Sequence, residues 1–382
     1  MKTLKKILKS CFAPLSLLNK LIPKASNRVF FYSNLGFRDN VRALYDYMIE
    51  NGFNREFKIT VATDEFKSFI DSAPENVKFV GLKRGIFSFL RSKYCFYCFG
   101  KYPIKPAKEQ CVVNLWHGMP LKGIGRLEKG CEEEDQNFFT YVIATSPFFA
   151  DVMCKAFGAG ENQALITPQP RCDVFLKETA CPEFFSGFKK VVLWLPTFMS
   201  SKRLNKTDGC YEEINPFDEA FLEKLCGVLQ KENILLFIKP HPMDDTPLPS
   251  RAFKNIRFAS ESELCSKSVT LHQLLKHSDA LITDFSSIYF DYLMLNKPIA
   301  FVGPDSDQYG KNRGYAFDNI EDLMPGPQIK TAEEFSAFLA SVAKGEDAVY
   351  EKRRQCNEIC NQYKDISGCK LILEKIGLKS EE

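Results

Sequence analysis

No stretch of this sequence is apolar for the roughly 20 residues that a membrane-spanning helix requires, and none repeats or falls into low complexity. Charge of one sign is also scarce. Lys and Arg number 51 against 48 Asp and Glu, a formal net charge of +3, so no strong field commits the chain to nucleic acid. Histidine is sparse: there are four in 382 residues, and they do not sit at metal-ligand spacing. Cysteine is plentiful, at 14, but its zinc pattern is missing. Cys95 and Cys98 form a CxxC inside the run YCFYCFG, with no second CxxC to complete a site. That run reads as a buried strand, and the thiols, including the Cys356–Cys360 pair, read as reduced core residues of a cytoplasmic protein. What remains is ordinary globular material, 45% hydrophobic, 26% charged and 13% aromatic, in a chain long enough for two α/β domains.

The opening MKTLKKILKSCFAPLSLLNKLIPK is neither a secretory signal nor a spanning helix, because Lys9 and Lys20 break its apolar stretch and no small-residue cleavage pattern follows. Leu4, Ile7, Leu8, Cys11, Phe12, Leu15 and Leu18 fall at helical spacing, with Lys2, Lys5, Lys6 and Lys9 between them. A short basic amphipathic helix, disturbed by Pro14, suits the headgroup region of an anionic leaflet. The plainer alternative is a surface helix packed on the first domain.

From Arg28 onward, short apolar runs alternate with helical patterns. VFFYS, FKITVATD, VKFVGL, YCFYCFG, CVVNLWHG and FTYVIATS read as strands, and DNVRALYDYMIENG and PFFADVMCKAFG as helices. Turn residues at Pro182–Gly187 precede a second series: KVVLWLPTF, ILLFIKPHP, ALITDFSS and PIAFVG as strands, with DEAFLEKLCGVLQKEN, HQLLKHSD and SSIYFDYLMLNK as helices. The tail from Ala332 reads as two helices. Alternation of this kind predicts doubly wound parallel sheets in two Rossmann-like domains facing across a cleft. The expected division is a basic segment at 1–24, a first domain at 25–184 and a second at 185–382.

In such sheets ligands sit beyond the carboxyl ends of strands, and three polar motifs fall there: WHGMPLKGIGR, KPHP and TDFSS. His117 stands on a glycine-rich loop with Gly118, Lys122 and Arg126, so it is a candidate general base beside groups that could meet an anion. A hydrogen-bonded histidine at a strand end is the structural alternative. His241 is braced by Pro240 and Pro242 beside Lys239, an arrangement suited to charge on a pyrophosphate leaving group; the alternative is a rigid turn that happens to carry a histidine. Ser286 and Ser287 open a helix after Thr283 and Asp284, which makes either a phosphate site or only a cap. Asp284 could bind a ribose or fix the loop. His272 and His277, five apart on a helix, read as structural, and the acidic run Glu132–Asp135 as a solvated loop.

Taken in order, these motifs resemble the CDP-glycerol glycerophosphotransferase family, the teichoic-acid primases and polymerases. The resemblance runs through SNLGFRDNVRALYDYM, NLWHGMPLKGIG, ATSPFF, PQPRCDVF, LPTF, FIKPHP, ITDFSSIYFDYLMLNKPIAF and DLMPGP. It implies a GT-B fold, a CDP-linked polyol phosphate donor such as CDP-glycerol, and a hydroxyl acceptor on a lipid-linked saccharide or a growing teichoic-acid or capsule-type polymer. His117 and His241 match the family's motif histidines. Lys239, Thr197, Thr283, Asp284, Ser286 and Ser287 fall on the donor side, and Gly118, Lys122, Arg126, Arg171 and Asp173 on the acceptor side or in the cleft. The implied chemistry is in-line attack on the phosphorus bearing the polyol, with CMP leaving. The implied location is peripheral, on the cytoplasmic face of the bacterial plasma membrane.

Met119 stands where the family often has threonine and Gln169 where it has glycine, both expected where the substrate is read. The sequence shows no extra amino-terminal domain of the kind that long polymerases carry, which favours a single-unit transferase or a capsule enzyme. No cofactor is specified and no metal ligand set appears. A divalent ion is neither required nor excluded by the motifs, and a homo-oligomer stays open. Two other functions fit the same pattern: a glycosyltransferase using a nucleotide sugar in surface polysaccharide synthesis, and a non-catalytic binder of anionic glycans at the membrane.

Overall fold

Parallel strands can be joined only by crossovers long enough to hold a helix, so the strand–helix alternation of the sequence dictates the architecture. The computed structural model describes residues 12–197, 200–201, 206–207, 213–242, 244–303 and 314–380. It divides into two units: Met1–Met119 with Ile124–Leu176 and Gln362–Glu382, and Pro120–Gly123 with Lys177–Asn361. The expected division assigned the whole tail to the second domain. Its last helix, with Cys369, Ile372 and Leu373, and Leu378 just after it instead join the core of the first unit.

The first unit begins with a helix, α1, over residues 12–19; residues 1–11 of the basic segment lie outside the described residues. There follow β1 Ala25–Ser33, α2 Asp39–Glu50, β2 Lys58–Thr63, β3 Val77–Val80, α3 Leu82–Arg91, β4 Ser92–Tyr97, β5 Cys111–Asn114, β6 Tyr141–Ala144, α4 Pro147–Phe157 and β7 Ala164–Ile166. The strands form one sheet in the order β3-β2-β1-β4-β5-β6-β7, every pair parallel. Such a sheet is covered on both faces, which is why Phe30, Cys95 and Val112 on one face are as buried as Phe31, Phe96 and Val113 on the other. Cys95 and Cys98 are buried here as well. Helix α4 shows how local chemistry sets boundaries. Ser146 caps its start by accepting from the Phe149 N–H, Pro147 occupies the first turn, and Gly158 closes it at φ +62°.

The second unit repeats the scheme with β8 Lys190–Leu195, a two-residue pair β9 Ser200–Ser201 and β10 Lys206–Thr207, α5 Glu219–Glu232, β11 Ile234–Ile238, β12 Ile256–Phe258, α6 Glu261–Ser266, α7 Leu271–His277, β13 Ala280–Thr283, α8 Ile288–Tyr292, β14 Ile299–Val302, β15 Gln328–Ile329, α9 Ala332–Lys344 and α10 Tyr350–Cys360. Its main sheet is parallel, in the order β12-β11-β8-β13-β14-β15. The strand order reverses beside β1 in the first sheet and beside β8 in the second, and the crevices at those reversals are where such sheets take ligands.

Two expectations change in detail. The helix expected over SSIYFDYLMLNK is only five residues of α-helix, extended by a 3-10 turn to Leu295 and ended by Asn296 at φ +48°. All five of its helical residues are buried, so packing rather than amphipathic periodicity holds it. The tail carries three helices, because Ser367 caps a further one, α11 Gly368–Lys375.

Candidate active site

In the first unit the candidate base stands where β5 runs out. The Trp116 N–H donates to the Asn114 Oδ1 at 3.0 Å, and Trp116 itself turns into the left-handed region at φ +46°, a conformation that costs a bulky residue about 1–2 kcal/mol. Gly118 follows at φ +128°. His117 is half-buried between these two residues. Its ring stacks on Trp116 (centroids 4.3 Å, planes 28° apart) and lies near-parallel to Phe99 at 5.6 Å. Burial pushes its pKa below the usual histidine range; nearby Asp39 opposes that shift and Arg171 adds to it. A neutral imidazole near pH 7 is ready to accept a proton.

The backbone around His117 is held by residues whose part in it the motifs alone do not show. Asp39, also left-handed at φ +62°, receives the Arg171 guanidinium at 2.9 and 3.0 Å, and the same Nη1 donates to the His117 carbonyl at 3.0 Å. Asn40, fully buried, donates from Nδ2 to the Leu115 and Trp116 carbonyls at 2.9 and 3.0 Å and to the Gln169 Oε1 at 3.0 Å. It accepts from the Arg171 N–H at 3.1 Å. Arg171 thus holds the loop in place. Asp173 is buried. It accepts from the Gly368 and Cys369 N–H groups at 2.6 and 3.2 Å and from the Ser367 hydroxyl, seating α11.

Arg126 is also engaged. Its Nε donates to the Glu134 carbonyl at 3.0 Å, and its guanidinium fills the space a Cβ on Gly158 would need. Lys122 lies in a segment that pairs with the second unit's own chain: it bridges Tyr315, with the Gly123 N–H donating to the Gly314 carbonyl at 3.1 Å.

In the second unit the residues expected on the donor side follow the ends of β8, β11 and β13, the strands around the reversal. Thr197 follows β8 and Asp284 follows the adjacent β13. Thr197 donates to the Asp284 Oδ2 from both its N–H, at 2.7 Å, and its hydroxyl, at 2.6 Å. Thr283 is fully buried and spends its hydroxyl on the Leu195 carbonyl at 2.8 Å, tying the same two strands. Lys239, after β11, is nearly buried and pairs with Glu261 at 2.8 Å. His241 is half-buried, and its carbonyl accepts from the Asp244 N–H at 2.9 Å. Ser286 and Ser287 are half-buried at the start of α8, and Ser287, already helical in its dihedrals, makes no side-chain cap. His272 pairs with Asp291 at 2.9 Å and His277 with the Thr179 hydroxyl at 2.9 Å. Glu261 carried no sequence signal.

The model of one protein family, CDP-glycerol:poly(glycerophosphate) glycerophosphotransferase, matches residues 15–377. The chain belongs to this family. The teichoic acid poly(ribitol-phosphate) polymerase of Bacillus spizizenii is 29% identical over 344 residues, covering 84% of this chain and 52% of the polymerase. The chain thus spans about half the length of that relative. The teichoic acid glycerol-phosphate transferase of Staphylococcus aureus is 25% identical over 390 residues, covering 94% of this chain and 92% of its own. Among solved structures, a variant of the wall teichoic acid polymerase TagF soaked with CDPG has a TM-score of 0.72 at 20% identity, covering 97% of this chain and 93% of that one. That likeness establishes the GT-B-type fold. Of this glycerophosphotransferase-family chain's two departures, Met119 and Gln169, neither is exposed to read a substrate. Both are fully buried, and Gln169 serves Asn40.

Proposed function

We propose that this protein transfers a polyol phosphate, glycerol phosphate before others, from a CDP-activated donor to a hydroxyl of a growing teichoic-acid-type polymer or a lipid-linked saccharide. The observation that carries this reading is His117: an imidazole kept neutral by burial, on a backbone clamped by Asp39, Asn40 and Arg171. The acceptor oxygen attacks the phosphorus that bears the polyol as its proton passes to His117. The bond from that phosphorus to the bridging oxygen breaks, and the electron pair leaves with CMP. On the donor side His241 and Lys239 stabilise the charge gathering on the leaving group, while Ser286 and Ser287 offer hydroxyls to the phosphates. Positioning and charge stabilisation supply most of the acceleration in phosphoryl transfer. The family supports this reading, as does the CDPG soaked into the TagF variant.

The test is CMP release from CDP-glycerol and CDP-ribitol, and sugar transfer from UDP-sugars, each with and without a lipid-linked saccharide or a glycerol-phosphate oligomer. Acceptor-dependent CMP release is expected. Transfer from the nucleotide sugars with inert CDP-alcohols would instead establish a glycosyltransferase, and binding without turnover a non-catalytic glycan receptor.

The same reading places the protein at the cytoplasmic face of the plasma membrane. No helix among the described residues is long and apolar enough to cross a membrane. Leu17, Leu18 and Leu21, on and just after α1, and Phe87 on α3 are 65%, 45%, 80% and 73% exposed. Exposed Lys20, Lys83, Arg84 and Arg91 lie among them. The two helices are joined where Lys24 donates to the Leu90 carbonyl at 2.7 Å and where Asn19 meets Gln110 at 2.6 Å, whose amide in turn reaches the Phe89 carbonyl. Apolar side chains ringed by cations suit an anionic interface. Flotation with phosphatidylglycerol vesicles is expected to carry the protein while phosphatidylcholine vesicles do not, and Leu21→Asp with Phe87→Asp should abolish it. Indifference to that double change would remove the assigned surface.

A further inference from the structure

The geometry around Trp116 raises the question of what keeps a bulky aromatic residue left-handed in the step before the candidate base. The dihedrals of Trp116 set the relation between the carbonyl before it, on Leu115, and its own. Both carbonyls end on one amide, the Nδ2 of Asn40, at 2.9 and 3.0 Å. The orientation of that amide is fixed by its backbone partners. Carbonyl oxygens only accept, so the nitrogen faces them, and the Arg171 N–H only donates, so the oxygen faces it at 3.1 Å. Gln169 Oε1 at 3.0 Å adds a further acceptor, and Asn40, Leu115 and Gln169 are fully buried, so water has little access to substitute for a lost bond. The direction of the His117 ring follows from the same turn, since that ring stacks on Trp116 at 4.3 Å.

We propose that Asn40 is the positioning residue for His117: by holding the Leu115 and Trp116 carbonyls on one amide, it fixes Trp116 in its left-handed turn and thereby aims the imidazole. The catalytic half of this inference rests on the reading of His117 as the base. Asn40 touches no reacting atom in this scheme, so its removal displaces the base without removing it. A displacement of about 1 Å costs on the order of 100-fold in rate.

Four histidines make the imidazole signals few enough to resolve. The experiment is carbon–proton correlation spectroscopy of histidine-labelled full-length protein, alongside CMP release from CDP-glycerol. Stacked on the Trp116 indole, the His117 ring protons should be shifted upfield. In Asn40→Ala that shift is expected to collapse while the His272 and His277 signals stay in place, which also reports that the second unit is folded. The kcat should fall roughly 10- to 100-fold with KM for CDP-glycerol changed by less than about threefold, the mark of an interaction realised in the transition state. Asn40→Asp keeps the size and the acceptor for the Arg171 N–H but cannot donate, and it is expected to behave like Asn40→Ala. Unmoved His117 signals in both variants would overturn the proposal whatever the rate does. Moved signals with an intact rate would leave the clamp standing and overturn His117 as the base.

Discussion

The loop that carries His117 and the strand ends that carry His241 and Asp284 solve the same problem by different means. Around the His117 loop two residues other than glycine, Asp39 and Trp116, take left-handed backbone. They are held there by side chains far off in sequence, with Asn40 reaching Gln169 and Asp39 reaching Arg171. In the second unit Thr197, Lys239, His241 and Asp284 keep ordinary negative φ values. The contact between Thr197 and Asp284 follows from β8 and β13 being neighbours at the strand reversal. One arrangement is made by tertiary side-chain bonds and stores strain of the kind found at functional sites; the other is made by sheet topology. The strained loop is where small changes should alter the rate, and the strand ends are where they should alter the grip on the donor.

Replacing each histidine in turn is the sharpest way to break that contrast, and the largest effect belongs to the first unit. His117→Ala is expected to lower kcat by about 10²- to 10⁴-fold, the usual contribution of a general base, with little change in KM for CDP-glycerol. His241→Ala should act mainly on donor binding and raise KM by roughly 10- to 100-fold, the scale of a lost charge-assisted hydrogen bond. Initial rates of CMP release over a range of donor and acceptor concentrations separate the two. If His241→Ala lowers kcat alone while His117→Ala weakens the donor, the two roles are exchanged.

The same contrast explains which parts were legible in the sequence. Strands, most helices and the parallel architecture follow from local pattern: apolar runs, a Ser-Pro start and a Gly stop in α4, a capping box of Thr331 and Glu334 in α9. The strand-end position of KPHP and TDFSS was legible for the same reason, since strand ends can be found from the strands. The clamp around His117 was not. Asn40 and Gln169 are 129 residues apart, and no periodicity marks two amides that will meet. Arg126 read as a cleft cation because nothing in the sequence shows that its guanidinium will occupy the space left by Gly158. Asp173 read the same way because its partners, Ser367 to Cys369, arrive on a tail helix that returns to the first unit.

The smallest of the expected effects tests what lowers the pKa of the candidate base. Burial is the first cause of the lowered pKa of His117, and Arg171 adds to it against Asp39. Phe99 is the half-buried ring on the imidazole's flank, at 5.6 Å. Phe99→Ala would admit water to that side, stabilise the charged imidazolium and move the pKa up toward its ordinary value. Activity that needs neutral His117 rises as pH climbs through that pKa, so the acid limb of the kcat profile should shift to higher pH. The variant should then lose a few-fold in rate near pH 6 and little on the plateau above pH 8. Arg171→Ala would move the limb in the same direction by removing a positive charge, but it also frees the His117 carbonyl and should depress the plateau. A Phe99 variant whose limb stays in place while its plateau falls would mean that the ring orients His117 rather than drying it, and the neutral base would then owe its state to the Trp116 face alone.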